Sequence, residues 1–341
     1  MVLPLGSTSC SEPDEPGPGG GGEGTIAFTD PSAREAVTTL TIKEFEVWAF
    51  TGPWNTAIMR GVDVRRTGLN SWTYSPVTKW PENPVDFYAV SPVGMKVDIN
   101  IPHSRWIDFP MDNGKTDLLV AVKVGAVQSD GHIRLNFCHT LARVTASIST
   151  TLSDTIVRVK RIAVRDVADN GKYFIPMKTT VKDEPADEIS DAWEIHNMNA
   201  TRYDLFATER ATELLTLSSE PFSVSGMAEF FLPVKFNPLT TDGGYLHGSS
   251  IEVAYQLYDR KTGRKIWPIG TTDKNLFVSD LEGWGAARFP LLNNTPEGRW
   301  YAGREYHYDI SIKGPASLNL SRSSAEEGNS IETTVGRLEG V

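Results

Sequence analysis

Short runs rich in Val, Ile, Thr, Phe, Tyr and Trp recur along this chain, and clusters of Gly, Asn, Asp and Pro close them off. β-branched and aromatic side chains suit a pleated, half-buried surface, and the turn residues between them mark where the chain reverses. The runs include TIAF (25–28), LTIKEFEVWAF (40–50), NSWTYS (70–75), VDFYAVSP (85–92), DLLVAVKV (117–124) and HIRLNF (132–137). Further on come RVTASIST (143–150), RIAVRDV (161–167), FFLPVKF (230–236), SIEVAYQLYD (250–259) and REYHYDISIK (304–313). Asp112-Asn113-Gly114, Asp130-Gly131, Asp169-Asn170-Gly171 and Thr262-Gly263 are turn signals between them. Short strands at regular spacing favour packed sheets over alternating α/β layers. The expected fold is all-β: two β-sandwich (transthyretin/Ig-like) domains.

Alternation refines this. Val253, Tyr255 and Leu257 share one strand face. Across 133–148 the apolar phase switches, from odd positions (Ile133, Leu135, Phe137) to even ones (Val144, Ala146, Ile148). One strand cannot keep both sets on a core face, so a bulge or bend is required near 139–143. The best helical period is ATERATELLTL (207–217), and 178–200 reads as a long acidic surface loop.

At ~100–200 residues per domain, 341 residues suggest two domains. The expected division is a leash over 1–24, sandwiches over 25–130 and 131–314, and a polar extension over 315–341. Net charge is −10, which argues against a nucleic-acid partner and against direct contact with an anionic membrane.

The stretch STSCSEPDEPGPGGGGEG (7–24) is acidic and rich in Pro and Gly, a composition expected to stay disordered. Cys10 stands at its head after small residues, the arrangement expected of a lipid-anchored secreted protein. MVLPLG before it is too short for a secretory apolar core, so a longer upstream signal is expected. Of the two cysteines, Cys138 lies in an apolar run and is expected to pack as a small hydrophobe, with no disulfide.

Motifs for chemistry are missing. There is no GxSxG elbow, HExxH, phosphate loop or dinucleotide fingerprint, and the six histidines lack metal-ligand spacing. Asp166-Val-Ala-Asp169-Asn170-Gly171 fails as a calcium loop, because Ala168 and Met177 stand where ligands are needed, and reads as a hairpin turn. A glycosidase needs only two facing carboxylates, and the 43 acidic residues leave that reading open as a third one. The expectation is a non-enzyme without metal or cofactor. Trp267, Trp284 and Trp300 near turns leave one alternative, a surface lipoprotein that stacks glycan on aromatic faces.

Several segments carry a resemblance: SWTYSPVTKWPENPVDFYAVSP (71–92), TDLLVA (116–121), NFCHTLARVTASI (136–148), FFLPV (230–234), and Trp300, Gly303, Tyr306 and Tyr308 near the end. In this order they resemble fimbrillin-like proteins, the subunits and surface lipoproteins of type V pili. The resemblance implies two β-sandwich domains, export as an outer-membrane lipoprotein, and assembly with other pilin subunits into an extracellular fimbrium. It implies cleavage by an arginine-specific protease in the loop after the first strand, and filling of the vacated groove by a partner's C-terminal segment. Arg34, the one basic residue in TDPSAREAVTT (29–39), stands at the expected cleavage position. Ile331, Thr333 and Val335 are the donor-strand candidates, in a tail more polar than a strong donor. Stalk, tip and anchor roles stay open, as does adhesion to a host or bacterial glycan or protein.

Overall fold

The computed structural model describes residues 24–29, 42–68, 71–181, 184–197, 202–224, 227–242, 245–269, 283–316 and 330–337. Cys10, Arg34 and residues 1–23 of the leash lie outside the described residues.

In chain order the first half runs β1 (Phe28–Thr29), β2 (Glu44–Thr51), β3 (Thr56–Gly68), β4 (Ser71–Tyr74), β5 (Val85–Ser91), β6 (Lys96–Asn100), β7 (Ser104–Pro110), β8 (Leu119–Ala126), β9 (Ile133–Arg134) and β10 (Cys138–His139). The second half runs β11 (Ala142–Thr150), β12 (Thr155–Arg165), β13 (Asn170–Phe174), β14 (Trp193–Asn197), β15 (Arg202–Ala207), β16 (Leu215–Thr216), β17 (Phe222–Val224), β18 (Phe230–Phe231), β19 (Thr240–Asp242), β20 (Tyr245–His247), β21 (Ser250–Asp259), β22 (Lys265–Trp267), β23 (Gly285–Pro290), β24 (Arg304–Ile312) and β25 (Ser330–Arg337). Helices are short, such as α1 (Ala186–Asp191) and α2 (Leu291–Asn294), so the chain is all-β as its pattern requires.

A six-stranded sheet in the order β10-β8-β5-β2-β3-β4 organises the first half. Its central strands are buried on both faces. Phe87, Ala89 and Ala121 face one core, with Ile26, Phe28 and Ile133, while Tyr88, Val90, Val120 and Val122 face another, with Ile107, Phe109 and Tyr173. This double burial is why β5 and β8 read as near-continuous apolar runs. The second core is covered by the four-stranded sheet β14-β13-β7-β6, which takes two strands from before residue 131 and two from after it.

Two further sheets pack in the second half, one in the order β17-β11-β24-β25, the other β15-β12-β21-β22 with β16 and β23 paired alongside. Val253, Tyr255 and Leu257 are buried in their shared core, at 0%, 0% and 2% exposure. The phase switch is a crossing between cores. Ile133, Leu135 and Phe137 enter the core beneath the first sheet, and Val144, Ala146 and Ile148 enter the larger one, with β10 and the 140–141 turn between.

Three local expectations are corrected. ATERATELLTL is not a helix: only Ala211–Glu213 forms a 3-10 turn, and β16 pairs with β12, Leu215 opposite Val159. Cross-strand pairing and burial of Leu217 outweigh its helix formers. The 178–200 stretch is not all loop, since α1 and β14 lie within it and bury Ile189 and Trp193. The 166–171 turn joins two different sheets rather than closing a hairpin, because β12 pairs with β15 and β21 while β13 pairs with β7 and β14.

Candidate functional site

The first strand is a short plug held on both sides. The Ile26 amide donates to Thr78 O at 2.9 Å, and the Trp80 amide donates to Gly24 O at 3.0 Å. On the other side the Ile133 amide donates to Ala27 O at 2.7 Å, and Phe28 pairs in parallel with Ile133. The Tyr74 hydroxyl donates to Ile26 O at 2.8 Å. Burial pushes the Tyr74 phenol above its ordinary value, against hydrogen bonding at Thr78, so the donor proton stays in place.

Period-2 alternation places Ile26 and Phe28 on the core face, at 1% and 2% exposure. Phe28 enters a box of three rings. Its centroid lies 5.6 Å from Phe45, 5.7 Å from Tyr74 and 6.0 Å from Phe87, all close to edge-on. Each such contact is worth ~0.5–1.5 kcal/mol beyond area burial. The walls come from β2, β4 and β5, so no local motif announces the box; strand alternation of the three aromatics was its only sequence signal. Beside Phe28 and Thr29 an apolar pocket opens, lined among the described residues by Ile42, Phe45, Trp72, Ile133, Leu135 and Phe137.

The donor candidates lie in a different sheet. Ile331, Thr333 and Val335 belong to β25, the edge strand paired antiparallel with β24, opposite Ile310, Tyr308 and Tyr306. Ile331 packs on the core, the Thr333 hydroxyl donates to Asn294 O, and Val335 is 40% exposed. The groove and these residues are therefore not brought together within one chain.

The outward face of the sheet holding β12, β21 and β23 buries a charge cluster. Arg161 meets Glu252 at 2.9 Å, and Arg288 meets Glu252 at 3.1 Å and Asp166 at 3.5 Å. The register dictates this, with Glu252 directly opposite Arg288 and Ala163. Burial alone would raise the Glu252 carboxyl, but Arg288, Arg165 and Arg161 outweigh it and hold it below its ordinary value. The Asp166 carboxylate also accepts from the Gly248 amide at 3.1 Å, so it is committed to structure.

The tryptophans read as glycan platforms are mostly packing groups. Trp300 is fully buried and donates to the Tyr308 hydroxyl at 2.9 Å. Trp267 lies 4.7 Å from the Tyr255 ring and over Gly285, and Trp284 packs on Ala254 and Ala286. Cys138 is buried. Among the described residues no His, Cys, Asp and Glu group is placed to hold a metal, and no helix is long and apolar enough to cross a membrane.

Residues 38–231 match the fimbrillin-like family. No curated protein matches the chain. Among solved structures, a candidate cell adhesion protein from Bacteroides uniformis ATCC 8492 is similar at a TM-score of 0.51 and 12% identity, over 93% of this chain and 100% of that one. A fimbrilin (FimA) from Porphyromonas gingivalis W83 aligns at a TM-score of 0.49 and 10% identity, over 93% and 98% of the two chains. The fimbrial anchor protein Mfa2 from Porphyromonas gingivalis aligns at 0.35 and 13%, over 93% and 99%.

Proposed function

Since the chain belongs to the fimbrillin-like family, we propose that it is a non-enzymatic, cell-surface pilus subunit that assembles by strand exchange and serves adhesion. The observation that carries this reading is the seating of residues 24–29, a buried plug held by a few backbone bonds and one aromatic knob. Cleavage after Arg34 would turn that plug into a separate peptide. It would lose the high effective concentration that a covalent tether provides. A longer strand from another subunit could then take its place, with ladder bonds for affinity and side-chain pockets for selection. β25, an edge strand with Ile331, Thr333 and Val335 on one face, is the candidate donor. Cys10 is the proposed point of lipid attachment to the outer membrane before assembly, with other pilin subunits as partners in the extracellular fimbrium.

The test uses the full chain and an arginine-specific protease, with size followed by light scattering. Wild-type protein should grow into polymer. Arg34→Ala should remain a folded monomer, and a chain lacking residues 330–341 should accept a partner strand without donating one. Growth of Arg34→Ala at the wild-type rate would refute the switch. For the anchor, fatty-acid labelling of a Cys10→Ala precursor behind a complete signal should be lost.

A further inference from the structure

We propose that the groove selects a partner strand with an aromatic residue at its central inward position, and that this chain's own C-terminal strand is therefore a poor occupant. The inference rests on the strand-exchange reading and names the partner: a different subunit whose terminal strand reads aliphatic-x-aromatic-x-apolar.

The resident plug defines the pockets. Ile26 takes the first, and Phe28 fills the second, the three-ring box of Phe45, Tyr74 and Phe87. The groove continues beyond. In the parallel register Phe28 stands opposite Ile133 and Thr29 opposite Arg134, so the next inward position of a longer strand would face Leu135, which lines the apolar pocket. In this sequence the residue two beyond Phe28 is Asp30, which lies outside the described residues. The described plug fills two pockets, and a longer strand with an apolar residue at the third inward position would also cover Leu135.

β25 presents Ile331, Thr333 and Val335 at the same spacing. Its two ends suit the outer pockets. Its centre does not, and the centre is Thr333 whichever way the strand runs. A threonine leaves most of the ring volume empty and brings a hydroxyl among aromatic walls. A second copy of this chain would thus fill the groove badly, so self-assembly through this groove would be slow and a different subunit carrying the aromatic residue would be preferred.

The test employs the full chain carrying Phe28→Ala, which loosens the plug, after cutting by the arginine-specific protease, with Phe28→Leu as the milder form should the first fail to fold. The probes are fluorescent peptides of residues 329–340 in three versions: native, Thr333→Phe, and Thr334→Phe, whose ring would point away from the groove. The Thr333→Phe peptide should bind ~30-fold more tightly than the native one, a ring replacing a small side chain in a matched pocket. The Thr334→Phe peptide should bind like the native one. Equal affinity of all three would overturn the selection while leaving strand capture standing. Failure of every peptide to bind would overturn strand capture itself. In the full chain, Thr333→Phe should speed polymer growth after protease treatment, and an unchanged rate would count against the proposal.

Discussion

Asp309 on β24 stands directly opposite Glu332 on β25, carboxylate across from carboxylate in one antiparallel pair. Like charges directly opposite each other weaken a sheet. Asp309 has company on its own side, since the Ser147 hydroxyl donates to it and His307 lies 3.3 Å away, whereas Glu332 is exposed. The same register sets Arg304 opposite Arg337. The terminal strand is thus docked against an edge that repels it at Glu332.

Glu332→Lys should turn one repulsion into an attraction and tighten the strand by ~1 kcal/mol. Amide hydrogen exchange over 330–337 should slow, most clearly at low salt. Exchange unchanged from wild type would show that the pair has no hold on docking.

The buried cluster makes stability sensitive to acid. Glu252 in the folded chain titrates below its ordinary value of 4.5, so its contribution is fully present above that value and fades as pH falls through the folded one. Glu252→Gln should flatten the loss of melting temperature below about pH 4.5. Glu252→Ala, which leaves Arg161 and Arg288 without their shared carboxylate, should cost ~3–5 kcal/mol. An acid melting curve of the Gln variant that overlays wild type would place the sensitivity elsewhere.

Thr180 fastens the 178–181 segment to the first sheet. Its hydroxyl accepts from the Val122 amide at 3.0 Å and donates to Asn136 O at 2.6 Å, and its own amide donates to Val122 O at 2.9 Å. Thr180→Val keeps the shape and strips both hydroxyl bonds from a buried site, which should cost ~1–3 kcal/mol. The urea midpoint should fall with an unchanged slope. A midpoint that does not move would mean these bonds are replaced.

The strands legible in the sequence were those whose burial follows their own pattern. β21 alternates, and β5 and β8 carry near-continuous apolar runs because both faces are covered there. β3 was missed because, of its residues, only Met59 and Val64 are buried, and charged side chains occupy its outer face. β7 and β13 gave no local signal of pairing, since Asn170 meets Pro110 from far along the chain. The same limit applies to the groove. TIAF announced a first strand, but its box is assembled by topology from Phe45, Tyr74 and Phe87. The spacing of Ile331, Thr333 and Val335 marked a strand, yet nothing local foretold that Glu332 would face Asp309. Arg161, Glu252 and Arg288 look like solvent-facing charges in sequence, and only the register of three strands buries them together.

The double cover on β5 and β8 bears on what an opened subunit would be. Removing residues 24–29 would bare one side of the sheet while Tyr88, Val90, Val120 and Val122 stay packed on the other. Such a molecule would keep its shape and be adhesive rather than unfolded. The hazard would then be timing: how soon the right strand arrives, set against how often two opened molecules collide with each other. Diluting opened subunits at a fixed donor concentration should favour correct filling, and crowding of opened subunits without a donor should favour clumping.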